Sequence, residues 1–170
     1  ALMGCTSSHD ENSGAGTEFD RMGAGYAPFA VLTFLLDGMP MIYNGQEIGL
    51  DRRLEFFERD PIVWPKATHP STKLYQVMTK LRRELPALHT GAPMRRLDTT
   101  DNATFYVVER TAGEKKAVGI FNLTAKDAKA DLFDPALAGT WTDAFTGETV
   151  TLNALVPLDL KGWRYRVLVK

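Results

Sequence analysis

Between Tyr26 and Leu36 the apolar residues Phe29, Ala30, Val31, Leu32, Phe34, Leu35 and Leu36 cover most of the circumference of a helix, and Gly38 follows as a stop. A helix apolar on nearly all sides predicts burial. Met39-Pro40-Met41-Ile42-Tyr43 is a short apolar run with proline at its tolerated start and the turn residues Asn44-Gly45 at its end, the pattern of a buried parallel strand. From Lys73 to Leu85, residues Leu74, Val77, Met78, Leu81 and Leu85 recur at helical spacing. Lys73, Gln76, Lys80, Arg83 and Glu84 fill the other face, and Pro86 ends the run.

After Leu88 the pattern changes to short segments rich in Val, Thr, Phe, Tyr and Trp: 104–109, 117–123, 128–132, 140–143, 148–152 and 163–169. Ala112-Gly113, Asp134-Pro135, Thr146-Gly147 and Lys161-Gly162 punctuate them, which predicts an antiparallel β-sandwich with Phe105, Val107, Ile120, Trp141, Trp163 and Val167 facing inward. Ser13–Gly25, rich in Gly and Ala, reads as a loop, and Asn44–Thr68 as a long one with mixed charges, aromatics and prolines. The two halves divide near His89, giving residues 1–88 as an α/β segment and residues 89–170 as an all-β domain.

Long polar insertions that follow strands, alternating with helices, are how a (β/α)8 TIM barrel places its chemistry. Two βα units cannot close a barrel, so residues 1–88 read as its last units, with the remaining strands supplied from outside this chain. The beginning, Ala1 to Ser8, shows neither a basic start nor an apolar run, and leads directly into His9-Asp10-Glu11-Asn12, as expected of a chain cut within a longer protein.

Composition narrows the function classes. The chain has 170 residues, 44% of them hydrophobic, and 20 basic against 21 acidic side chains leave a net charge of -1. No single-sign run offers a surface for nucleic acid, and Phe29–Leu36 is far short of the roughly 20 residues a membrane span needs. The single cysteine, Cys5, excludes an internal disulfide and reads as buried filler. His69 and His89 lack acidic or thiol partners at ligand spacing, so neither a metal nor another cofactor is expected.

Five segments in order resemble the α-amylase family (glycoside hydrolase family 13). Ser8-His9-Asp10-Glu11-Asn12 is similar to its last conserved segment, with a His-Asp pair at the end of the seventh barrel strand, and Gly38–Gly49 to its eighth strand and following loop. Arg59-Asp60-Pro61-Ile62-Val63-Trp64 resembles a loop signature of the family, Tyr75, Leu81-Arg82 and Pro86-Ala87-Leu88 its eighth helix, and Trp141-Thr142-Asp143 with Thr146-Gly147-Glu148 its C-terminal domain. Ser8 stands where members often have Asn, and Ser13-Gly14 where some carry Arg.

The resemblance implies a retaining enzyme acting on α-glucans such as starch or maltooligosaccharides, as a hydrolase or transglycosidase. Such cleavage passes through an oxocarbenium-like transition state, which two carboxyl groups and further hydrogen bonds to ring hydroxyls stabilise. Asp10 matches the family's third carboxylate, a transition-state stabiliser, and His9 the imidazole that binds hydroxyls beside it. The matching nucleophile and general acid lie upstream of Ala1, so the chain alone is expected to be inactive and to depend on the missing N-terminal barrel of the same protein. Trp64 is the aromatic candidate for stacking on a sugar. Tyr43, Phe56 and Phe57 are expected to pack the loop down, and Glu47 to support its turn. The alternative is a non-catalytic carbohydrate-binding or structural β module.

Overall fold

The computed structural model describes residues 2–170. Two short strands open the α/β half, β1 (Met3–Gly4) and β2 (Met39–Pro40), paired in parallel with Met3 opposite Met39. The helices α1 (Glu18–Met22) and α2 (Tyr26–Leu35) lie between them in sequence, and α3 (Pro70–Glu84) follows. The apolar circumference of α2 is explained by what surrounds it: Ala30, Val31, Phe34 and Leu35 are buried in one cluster with Leu74, Tyr75 and Met78 of α3. α3 starts three residues earlier than the sequence predicts, because the His69 ring accepts the Ser71 N–H as an N-cap and Pro70 occupies the first turn.

Three readings change here. Ser13–Gly25 is not a loop: a π-helical turn (Glu11–Ala15), α1 and a 3-10 turn (Gly23–Gly25) occupy it. Thr17 caps α1 through a reciprocal pair with Asp20, its hydroxyl accepting Asp20 N–H at 3.1 Å while Asp20 accepts Thr17 N–H at 3.0 Å. The apolar run after Gly38 is a strand only at Met39–Pro40; Met41 N–H still donates to Gly4 O at 2.8 Å, and Ile42 and Tyr43 lie outside the strand. Cys5, read as buried, is exposed just past the end of β1.

The β half contains β3 (Met94–Leu97), β4 (Phe105–Ala112), β5 (Lys115–Asn122), β6 (Ala128–Phe133), β7 (Gly139–Asp143), β8 (Thr149–Leu152), β9 (Leu155–Leu160) and β10 (Tyr165–Val169). Six form an antiparallel sheet in the order β3-β4-β5-β10-β7-β8, and β6 and β9 form a second. The sheets enclose a core that includes Phe105, Val107, Ile120, Leu132, Trp141 and Leu158, as the period-2 pattern requires. The strands β3 and β9 go beyond the predicted set. β9 has the right alternation, Val156 and Leu158 buried, but Pro157 at its centre masks it, and a partner only on one side makes that proline tolerable.

Two residues expected inside the sandwich lie elsewhere. Val167 faces the opposite side of the large sheet, where it joins Val108, Ala117 and Phe121 against α2 and α3. Trp163 is half-buried in the turn before β10, beside Phe29. The large sheet is therefore covered on both faces, and the second core belongs to both halves of the chain. Gly119 makes the approach possible, since a side chain there would strike Leu35 of α2.

Polar groups reinforce this junction. Arg110, fully buried on the helix-facing side of β4, donates to the carbonyls of Leu35 at 3.0 Å, His89 at 2.9 Å and Ala92 at 3.1 Å. Arg82 of α3 reaches the Gly38 carbonyl and the Thr90 hydroxyl, and Asp37 accepts the Gly91 N–H at 2.8 Å. No helix among the described residues is long and apolar enough to cross a membrane.

Candidate functional site

The segment after β1 builds the site. His9 and Asp10 enter the π-helical turn Glu11–Ala15, in which Gly16 N–H bonds Glu11 O at 2.8 Å across five residues. Such wide turns leave side chains offset from the usual helical rows and recur at functional positions. Gly16 closes the turn at φ 115°, a region open to glycine.

Both sequence-predicted side chains of this turn are exposed, with His9 Nε2 and Asp10 Oδ1 3.6 Å apart. They are free to meet a ligand because the turn is fixed by residues behind them. Asn12, 4% exposed, donates to Arg52 O at 3.2 Å and accepts Leu54 N–H at 2.8 Å. Ser13 donates to Leu54 O at 2.7 Å, and the Thr17 hydroxyl to Asp51 at 2.7 Å. These bonds stitch the turn after β1 to the long segment after β2, which is itself braced by Arg52 and Asp60 at 2.6 Å. The Asp60 carboxyl is held below the usual carboxylate range by the hydrogen bond from Arg52 and by the Glu55 N–H.

A second, deeper layer joins the same segments. Gln46 donates to Glu18 at 2.6 Å and to the Thr6 hydroxyl at 2.9 Å, and its carbonyl oxygen accepts Tyr43 N–H at 2.7 Å. Glu18 is 3% exposed, and one of its oxygens has no partner among the described residues. Burial raises its pKa, against the lowering effect of the Gln46 and Thr6 hydrogen bonds. Glu47 acts as a turn support, accepting Gly45 N–H at 2.9 Å.

The aromatic residues divide differently from the expectation. Phe56 stands against His9, with ring centroids 5.4 Å apart, and Phe57 packs on Phe56 at 4.7 Å. Phe57 is 90% exposed, so this pair does not pack the loop down but presents apolar faces next to His9. Trp64 is exposed in the same segment, and the ring contacts among the described residues do not join it to His9. The residues that sequence reasoning missed are Asn12, Gln46 and Glu18, polar side chains whose importance lies in burial. The spacing Thr17-x-x-Asp20 is the one signal that could have located the helix carrying Glu18.

Among the described residues no group of three or more His, Cys, Asp or Glu side chains is placed to hold a metal ion. The arrangement is an exposed imidazole and carboxylate on a rigid turn with apolar rings beside them. It suits hydrogen bonding to hydroxyls combined with stacking against a nonpolar ring face.

No protein-family model matches the chain. It is similar to Neopullulanase 2 of Thermoactinomyces vulgaris, 29% identical over 122 residues, covering 70% of this chain and 20% of that protein. It is also similar to Alpha-amylase 2 of Dictyoglomus thermophilum, 26% identical over 133 residues, covering 72% of this chain and 22% of that protein. The chain thus spans about a fifth of the length of these relatives. Its fold matches that of a maltogenic alpha-amylase from Thermotoga neapolitana with a TM-score of 0.80 at 14% identity, over 98% of this chain and 40% of that one. It matches an alpha-amylase from Lactobacillus plantarum with a TM-score of 0.73 at 17% identity, over 99% and 38%. The ordered motifs, the fold and these relatives converge: the chain is similar to the C-terminal portion of α-amylase-family (glycoside hydrolase family 13) enzymes.

Proposed function

We propose that the chain is part of a retaining glycoside hydrolase that acts on α-glucans, with Asp10 as transition-state stabiliser and His9 as a substrate-binding residue. Residues 1–88 then supply the seventh and eighth strands and helices of a (β/α)8 barrel, and residues 89–170 the β domain that follows it. The observation that carries this reading is the exposed His9–Asp10 pair on a turn just past the end of β1, fixed by the buried Asn12. The position agrees with barrel chemistry, which sits at the C-terminal ends of the strands. Supporting it, β1 and β2 form an isolated parallel pair, with Leu2, Met3 and Met39 exposed around them. Parallel strands are stable in buried sheets, so apolar strand residues left open on this edge fit further barrel strands.

In the reaction, a carboxylate and a carboxylic acid from the upstream part of the protein perform nucleophilic attack and protonation of the leaving oxygen. Asp10 accepts hydrogen bonds from ring hydroxyls that sharpen as positive charge develops on the sugar. His9 contacts hydroxyls beside it, and Trp64, Phe56 and Phe57 offer faces to neighbouring rings. The test is Asp10→Asn in the full-length protein with a maltooligosaccharide. It should lower kcat by about 10² to 10³ with little change in KM, the loss typical of one charge-stabilising contact. His9→Ala should act more on KM, and the 170-residue chain alone should show no turnover. A kcat for Asp10→Asn within about threefold of wild type excludes the assignment, because that loss is no more than one ordinary hydrogen bond and far below that of a charge-stabilising contact.

A further inference from the structure

A second cleft lies where the helices meet the large sheet, and it shares no lining residue with the His9–Asp10 turn or the segment after β2. One hollow of about 300 Å³ opens between α2, α3 and the turn before β10, and another of about 580 Å³ over β7 and β10. They share Phe145, Arg164 and Tyr165, and their volumes fall within the range of sites for small molecules. The walls are aromatic: Phe145 meets Tyr165 edge-on at 5.3 Å, and Trp163 packs beside Phe29 at 6.1 Å.

Trp163 is the single non-glycine residue with positive φ among the described residues, at 55°. A bulky side chain in this region is strained, and the surrounding bonds hold it there. Trp163 N–H donates to Thr124 O at 2.8 Å, Gly162 N–H to Asp127 at 3.0 Å, and Arg164 N–H to Lys161 O at 3.2 Å. A glycine would meet the same backbone demand without strain, so the indole is what this position supplies. One side of the ring lies against Gly25 and Phe29, and the ring also lines the smaller hollow.

The polar groups around the cleft carry both signs. Arg166 pairs with Asp143 at 3.2 Å, and Glu148 accepts the Thr146 hydroxyl at 3.3 Å, while Lys73 and Arg164 are exposed. Burial pushes the Tyr165 phenol up to about 12, so it remains protonated at neutral pH. Acidic side chains oppose an anion, and the charged rim opposes a purely apolar ligand. A pyranose chain satisfies both features, its C–H face against the rings and its hydroxyls toward donors and acceptors.

We propose that the cleft formed by Trp163, Tyr165 and Phe145 binds a segment of an α-glucan chain, as a carbohydrate site separate from His9 and Asp10. The choice of an α-glucan rests on the functional reading above, whereas the preference for a pyranose rests on the cleft itself.

The 170-residue chain labelled with 15N gives three indole N–H signals, from Trp64, Trp141 and Trp163. Titration with maltoheptaose should shift the Trp163 signal in a saturable way. Trp141, buried and bonded to Leu137 O at 2.7 Å, should not respond, and Trp64 reports on the other site. Trp163→Gly removes the ring while accepting the backbone conformation, and should weaken binding by calorimetry at least tenfold. Arg164→Ala, at an exposed position, should weaken it about threefold with an unchanged thermal melt, the size of a lost hydrogen bond. The proposal is overturned if the Trp163 signal of the folded chain is unmoved at about 10 mM maltoheptaose, where a site with Kd near 1 mM is filled. It is also overturned if inorganic phosphate binds there more tightly than the sugar, or if Trp163→Gly folds and keeps full affinity. A shifting Trp163 signal alongside a fully active Asp10→Asn enzyme upholds this site and removes only the catalytic reading.

Discussion

Arg110 offers the sharpest test of how the two halves of the chain are held together. Its guanidinium serves three carbonyls, from the last turn of α2 (Leu35) and from the connection between α3 and β3 (His89 and Ala92). Asp37, at 3.5 Å and half exposed, is the nearest carboxylate. Arg110→Met keeps an unbranched stem of similar length but removes every donor. Each buried acceptor left without a partner costs about 1–3 kcal/mol; the His89 carbonyl still accepts the Ala92 N–H at 3.1 Å, so the carbonyls of Leu35 and Ala92 would give roughly 2–6 kcal/mol if they added. Two effects reduce that sum. Carbonyls tolerate partial satisfaction better than N–H groups do, and methionine escapes the burial penalty that holds the Arg110 pKa below its ordinary value and leaves Nε unpartnered. A net destabilisation of about 2–4 kcal/mol follows, which for a chain of this size lowers Tm by roughly 5–15 °C. Urea unfolding followed by circular dichroism measures it directly, with the midpoint moving and the slope unchanged if compactness is kept. Arg110→Lys should recover only part of the loss, since one ammonium cannot reproduce the forked geometry. An Arg110→Met chain melting within about 2 °C of wild type would refute the idea that this side chain secures the junction.

Other consequences can be checked separately. Burial raises the Glu18 pKa above 4.5, so the folded chain binds more proton than the unfolded one from about pH 4.5 up to the raised value, and stability falls as pH rises through that window. Glu18→Gln should therefore melt higher than wild type near pH 8 and converge with it near pH 4, and parallel Tm-against-pH curves would contradict the assignment. Asn12→Ala removes two hydrogen bonds that tie the His9–Asp10 turn to Arg52 and Leu54, and should cost about 2 kcal/mol by thermal melt, an unchanged Tm refuting the role. A polypeptide starting at His89 should fold cooperatively as a β domain but melt below the whole chain, because Val108, Phe121 and Val167 lose their cover. A random-coil spectrum would place the boundary elsewhere.

The sequence by itself determined the elements whose pattern is local. The α2 and α3 helices, the alternating strands β4 to β7 and the His9-Asp10 motif were all legible, because period, turn residues and motif order are properties of neighbouring positions. Periodicity tells that a residue is buried but not which surface covers it. Val167 alternates correctly yet packs on the helices rather than inside the sandwich, since both faces of the large sheet are covered. The same limit hid Pro157 in a strand with one partner and the exposure of Cys5. Tertiary structure alone decided the polar core. Asn12, Glu18, Gln46 and Arg110 look like ordinary surface residues in sequence, and their weight comes from partners up to 75 positions away, brought within hydrogen-bond reach in a medium where an unpaired polar group is expensive.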